Sequence, residues 1–250
     1  MVVMKELSDY LINKETDEII WKFAFLGRQD SLNSKLQELS ELAEEENWTS
    51  ANSDKHNNIL YSYLVHTFNR AFELGNEYVV INDDEKYACF NTGLLTENGE
   101  DIICLFNTFD SSDEYHWHLY GFRKVSDWDF LAEFSITPKV PHYFSNPADL
   151  YFDPNRELVK NLDHILDDNF SRFSESLQAK GKSYIHALLN NALDLTITKC
   201  KRNYRIVVPQ YYRGKVTYLL PVTIDDELMS LAVESINGRY RVNTIFTLDM

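Results

Sequence analysis

The sequence predicts an α+β protein built on antiparallel β-meanders, with N-terminal helices and a central αα-hairpin. Three observations carry that reading. Apolar residues recur at helical spacing in two separate stretches, and each stretch is followed by segments that alternate apolar and polar residues. The dipeptides Asn98-Gly99, Arg213-Gly214 and Asn237-Gly238 sit between alternating segments, where antiparallel hairpins turn. The regular strand–helix alternation of a parallel sheet is absent, as is any GxGxxG phosphate loop.

The elements follow in order. Residues 1–21 read as an N-terminal extension and 22–250 as a single α+β domain, with 22–135 and 154–250 as two sub-halves joined by a long loop. Asp30 precedes a helix that places Leu32, Leu36, Leu39 and Leu42 on one face. After a polar loop at 49–58, Leu60, Leu64, Phe68, Ala71 and Phe72 define a second helix, and Gly75 sits where a left-handed cap would close it. Strands are expected at 78–81, 87–95, 101–106 and 115–122. Residues 136–155 are rich in Pro, Asn and Asp and read as a long ordered loop with aromatic anchors. Helix returns at Pro154 and runs through residue 173, and a second helix covers 181–199. Four more strands follow at 204–212, 215–224, 228–236 and 239–248. Pro209 and Pro221 place their strands at an edge or a bulge.

Charge narrows the function. Lys and Arg number 24 against 39 Asp and Glu, a net charge of −15, which opposes non-specific coating of DNA or an anionic membrane unless the charge is segregated. It is segregated: residues 171–214 carry 8 basic and 2 acidic side chains, densest around Lys199, Lys201, Arg202 and Arg205. Such an island either neutralises acidic neighbours or forms an anion site, and the interleaved Tyr204, Tyr211 and Tyr212 suit base stacking beside phosphate contacts. No apolar run spans a membrane, and MVVMKELSDY lacks a signal core. Cys89, Cys104 and Cys200 form neither a disulfide framework nor a CxxC pair, which fits a reducing, cytoplasmic setting.

Four constellations could carry chemistry or binding. His164, Asp168 and Arg172 are spaced by four and make one stripe away from the apolar face of their helix. The stripe is either an acid/base group oriented by a carboxylate or an exposed salt-bridge ladder. Asn169 falls inside the apolar face, so a buried amide there must brace backbone or read a ligand. In Phe90-Asn91-Thr92-Gly93-Leu94 a glycine interrupts a strand pattern, the mark of a bulge or of N–H groups offered to a phosphate or base. Gln210 and Tyr211, with Arg213 and Lys215, either offer base-edge, stacking and phosphate contacts or form an ordinary exposed hairpin; Lys201 offers a further phosphate contact, and Asn146 stands in the aromatic loop. His116 and His118 alternate on one strand face, and a divalent metal there would need His142 or Asp113 as a third ligand; the plainer reading is a half-exposed strand. No metal or other cofactor is therefore expected.

Read together, the strings FNTGLLT, WHLYGF, YFSNPADLYFDP, NLDHILDDNFSRF, VPQYYRGKVTYLLPV and YRVNTIFTLDM resemble the uncharacterised family catalogued as domain of unknown function 3825, from about residue 22 to the end. The resemblance implies an α+β domain that keeps company with cold-shock and LOTUS-type RNA-binding modules, and it implies a few residues beyond Met250. The expected function is an RNA- or nucleotide-binding domain. Any reaction would be phosphoester or phosphoanhydride hydrolysis, with His164 as acid/base and Arg172, Lys201 or Lys215 stabilising charge. The alternative is a regulatory module whose acidic surface meets a protein partner.

Overall fold

Local turn chemistry decides where the chain reverses. Asn237 and Gly238 both adopt positive φ (51° and 79°), so Ile236 and Arg239 face each other directly across a two-residue hairpin. A computed structural model describes residues 6–50, 53–109, 114–212 and 214–247. The chain divides into two units, the first ending at His142 and the second beginning at Tyr143.

The first unit contains α1 (Ile20–Phe23), β1 (Ala24–Phe25), α2 (Gln29–Leu42), α3 (Asn58–Leu74), β2 (Val79–Ile81), β3 (Tyr87–Leu95), β4 (Asp101–Asn107), β5 (Trp117–Lys124) and α4 (Trp128–Glu133). Its sheet has the order β1-β5-β4-β3-β2. All pairs are antiparallel except β1 with β5, a two-residue parallel contact that alternation in sequence does not reveal. The leucine stripes of α2 and α3 fall where their spacing put them. Leu36, Leu39, Leu64 and Phe68 pack on Phe90, Phe106 and Trp117 of the sheet. Each such side chain contributes on the order of 2 kcal/mol by leaving water. Residues 7–21 are more than an extension: Leu7, Tyr10 and Ile20 are buried in this same core. The sheet's other face carries Cys89, Ile103 and Leu105, covered by Phe130 of α4 and by Phe134 just after it. Six residues are too few for α4 to show a helical period in sequence.

The second unit contains β6 (Leu158–Val159), α5 (Leu162–Asn169), α6 (Glu175–Lys180), α7 (Lys182–Cys200), β7 (Val208–Tyr212), β8 (Lys215–Ile224), β9 (Glu227–Ile236) and β10 (Arg239–Thr247). The sheet order is β6-β10-β9-β8-β7. Ile165, Leu166, Leu177, Ile185, Leu189 and Leu193 of the helices cover Leu220, Leu231 and Val242.

Two expectations are corrected here. Helix does not return at Pro154. Residues 158–159 pair in parallel with β10, and the Tyr240 N–H donates to the Glu157 carbonyl at 2.8 Å, so a long-range ladder overrides local helix periodicity. Residues 204–206 form a 3₁₀ turn, and the strand starts only at Val208. Pro209 lies on the edge strand β7, as its missing donor requires. Pro221 is tolerated in β8 because β7 pairing stops at Val208–Leu219, and the Thr196 hydroxyl of α7 donates to the Pro221 carbonyl at 2.7 Å. Arg213 of the β7–β8 turn and the strand end at 248–250 lie outside the described residues. Among the described residues no helix is long and apolar enough to cross a membrane.

Candidate nucleic-acid interface

The aromatic loop is anchored from within. Phe152 is buried and stacks on Tyr240 (4.5 Å between centroids), with its edge toward Tyr218 at 5.6 Å. The Asp153 N–H donates to the Tyr240 hydroxyl at 3.1 Å. Burial, together with the neighbouring Tyr240, pushes the Tyr218 phenol up to about 12, so it stays neutral. Side chains of neighbouring residues in extended backbone point to opposite sides. Tyr151 is extended (φ −116°, ψ 125°), and with Phe152 turned inward it faces solvent.

This anchoring lays the loop beside the basic segment. Tyr151 lies 5.5 Å from Tyr204, and Tyr143 lies 5.6 Å from Tyr211 of β7. Tyr151 and Tyr204 remain 54% and 57% exposed, an accessible aromatic pair. The Arg205 guanidinium sits 5.9 Å from the Tyr204 ring centre. The Asn203 side chain accepts from the Arg205 N–H at 3.1 Å and so shapes the turn that carries both. Asn146 plays the same part in the loop: its side chain caps the 3₁₀ turn at Pro147–Leu150, accepting from Ala148 N–H at 2.9 Å.

Charge is partitioned between the units. The first carries 11 basic and 26 acidic residues and the second 13 and 13, so the whole excess of −15 belongs to the first. Within the second, pairing is selective. Lys180 with Asp225 (2.6 Å), Lys182 with Asp167 (2.6 Å), Lys160 with Asp194 (2.7 Å) and Arg239 with Glu157 (2.9 Å) are neutralised. Hydrogen bonds from these lysines hold the Asp167 and Asp225 carboxyls below their usual range. Lys215 is 3.8 Å from Glu234. Lys201, Arg202 and Arg205 are exposed, and among the described residues no carboxylate pairs with them. Lys199 and Lys201 at the end of α7 also complement the helix dipole. Gln210 is exposed on β7, and Tyr211 is half-buried on the opposite side of that strand.

The remaining candidate residues are engaged elsewhere. In the first unit, Asn91 and Thr92 are fully buried. Asn91 accepts from Gly93 N–H at 2.9 Å, while the Thr92 hydroxyl donates to the Ile102 carbonyl at 2.7 Å and accepts from Leu94 N–H at 3.2 Å. The register shifts between Asn91 and Leu95, so these polar groups satisfy a bulge, and the Asn91 amide also donates to the Pro138 carbonyl at 3.5 Å. In the second unit the expected stripe divides. His164 and Asp168 are exposed and 3.3 Å apart, but α5 ends at Asn169 and tightens into a 3₁₀ turn, which swings Arg172 toward β10. Arg172 donates to the Thr244 hydroxyl at 3.0 Å and the Ile245 carbonyl at 2.6 Å. Thr244 donates to buried Asn169 at 3.1 Å, and Asn169 donates to the Ile165 carbonyl at 3.0 Å. Asn169 and Arg172 thus brace the bulge of β10 between Val242 and Thr244.

Since His164 and Asp168 are solvated, His164→Ala and Asp168→Ala are each expected to change stability by less than about 0.5 kcal/mol in denaturant melts. His116 packs against Tyr10 and Trp117, and His118 against Phe25 and Phe109. No group of three or more metal-binding side chains occurs among the described residues, and Asp113 lies outside them. All three cysteines are buried, and burial raises their thiol pKa values, leaving them poor nucleophiles.

Tyr151 is absent from the set of site residues that sequence motifs single out. The available signal was the Tyr151-Phe152 pair, in which one ring buried means the other exposed. Residues 39–250 match the family model described as domain of unknown function (DUF3825), beginning inside α2. No curated protein and no solved structure matches the chain.

Proposed function

Starting from a chain that belongs to the DUF3825 family, whose description assigns no activity, we propose that the second unit binds single-stranded RNA along the edge that carries Tyr151, Tyr204 and Arg205. One observation carries the reading: an exposed tyrosine pair stands in the segment of three cations that no carboxylate among the described residues neutralises, in a unit of zero net charge. Exposed rings stack on any base, and free guanidinium and ammonium groups displace counterions from phosphates. Gln210 and Lys215 on the adjoining β7–β8 hairpin extend the surface toward base edges and further phosphates. The choice of RNA over DNA is favoured by resemblance to domains that keep company with RNA-binding modules. Three separated free cysteines fit the cytoplasm, where such an RNA would be met.

The reading assigns this surface no chemical step. His164 pairs with Asp168 at the surface, and Arg172, its expected partner in charge stabilisation, is committed to β10.

The test is fluorescence anisotropy of a labelled oligouridine of about 12 nucleotides across a salt series. Wild type should bind at low salt and weaken as salt rises. Substituting Lys201, Arg202 and Arg205 together by alanine should weaken binding about 100-fold and flatten the logarithmic salt slope by about 2. Tyr151→Ala or Tyr204→Ala should weaken it about tenfold and leave the slope unchanged. Equal binding by the triple variant, or tighter binding of the matching oligodeoxyuridine, contradicts the reading.

A further inference from the structure

Helix α4 uses only one of its sides to cover the first unit's sheet. Phe130 and Phe134, stacked 5.4 Å apart, are buried against Cys89, Ile103 and Leu105. The opposite side presents Trp128 and Leu131, three residues apart and therefore neighbours on one face. They are 80% and 54% exposed. A tryptophan so exposed gains nothing for the monomer's core, and tryptophan is the side chain most enriched at the energetic centres of protein interfaces.

The surroundings state what would cover it. Asp127, Asp129 and Glu133 lie on or beside the helix. The neighbouring turn brings another carboxylate: Ser126 N–H donates to the Glu100 side chain at 2.9 Å. Arg123 is held by Asp129 at 3.0 Å and Lys124 lies 3.8 Å from Asp127, which leaves the neighbourhood negative. It belongs to the unit that holds all of the chain's excess acid.

We propose that the Trp128–Leu131 face of α4 docks a basic amphipathic segment of a partner protein. The segment's apolar side chains cover Trp128 and Leu131, and its lysines or arginines meet the carboxylate rim. This helix-on-surface mode takes its affinity from the apolar anchors and its selectivity and speed from charge. It is independent of RNA binding by the second unit.

The probe is a labelled 14-residue amphipathic peptide of leucine and lysine, titrated into the intact protein, with a leucine–glutamate peptide of the same pattern as its counterpart. The leucine–lysine peptide should bind, Trp128→Ala and Leu131→Ser should each weaken it about tenfold or more, and Glu133→Gln should weaken it a few-fold in low salt only. The leucine–glutamate peptide should not bind. The melting temperature of Trp128→Ala should match wild type, because the side chain is exposed. Four outcomes overturn the proposal. They are unchanged peptide affinity in Trp128→Ala, equal binding of the acidic peptide, a wild-type dimer that Trp128→Ala dissolves, and a melting temperature lowered enough to show that Trp128 serves the fold.

Discussion

Asn169→Leu is expected to destabilise the second unit by about 3 kcal/mol, within the range for stranding buried polar partners. The substitution roughly conserves volume, so the loss comes from hydrogen bonds and leaves no large cavity. Asn169 stands between the Ile165 carbonyl and the Thr244 hydroxyl, and Thr244 in turn accepts from Arg172. Removing the amide leaves the Thr244 hydroxyl without its acceptor and loosens the hold of Arg172 on the β10 bulge. Hydrogen exchange of α5 and β10 amides reads the effect locally, which matters in a chain of two units that need not unfold together. A cycle with Thr244→Val should be strongly non-additive, because the two side chains share one bond. RNA binding measured below the melting transition should be unchanged. Preserved stability with lost binding would instead identify Asn169 as a ligand contact.

Gly93→Ala is expected to cost the first unit about 3 kcal/mol. Two effects add. Gly93 has φ of 74°, where an L side chain is strained by about 1–2 kcal/mol. A Cβ there would also lie 2.9 Å from the Tyr63 hydroxyl oxygen, so one of them must shift. Gly99 isolates the first effect: its φ is 76° and nothing lies within 4 Å of its Cβ position, so Gly99→Ala should cost only about 1 kcal/mol. Tyr63→Phe combined with Gly93→Ala should recover part of the loss, and chemical denaturation of the four species measures it. Equal costs at Gly93 and Gly99 would show that the close approach carries no strain.

Both substitutions fall in motifs that the sequence singles out, and both motifs turn out to serve the backbone. Sequence shows that Asn169 is polar on an apolar face and that Gly93 interrupts a strand. It does not show that Thr244, 75 positions away, supplies the partner of the first. The same limit explains Arg172. Spacing by four assumes that α5 continues, whereas its last turn tightens to 3₁₀ once β10 offers a hydroxyl and a carbonyl to the guanidinium. The short strands β1 and β6 were illegible for a related reason: two residues carry no periodicity, and their parallel partners lie 93 and 82 residues further along the chain.

The candidate interface was half legible. The basic island and its tyrosines follow from counting residues, and the aromatic loop follows from its composition. That the two lie side by side depends on Phe152 stacking on Tyr240, a contact no local pattern encodes.

By itself the amino-acid sequence determined the α+β class, the hairpin turns, the apolar faces of α2 and α3, and the segregation of charge. Each of these depends on neighbours within a few residues, where backbone preference and apolar spacing act directly. Tertiary structure alone decided which cations stay unpaired, which polar residues are spent on bulges, and that Trp128 faces outward while Phe130 is covered. Those outcomes depend on distance between segments remote in the chain, and burial there sets whether a charge, an amide or a ring is available to a partner.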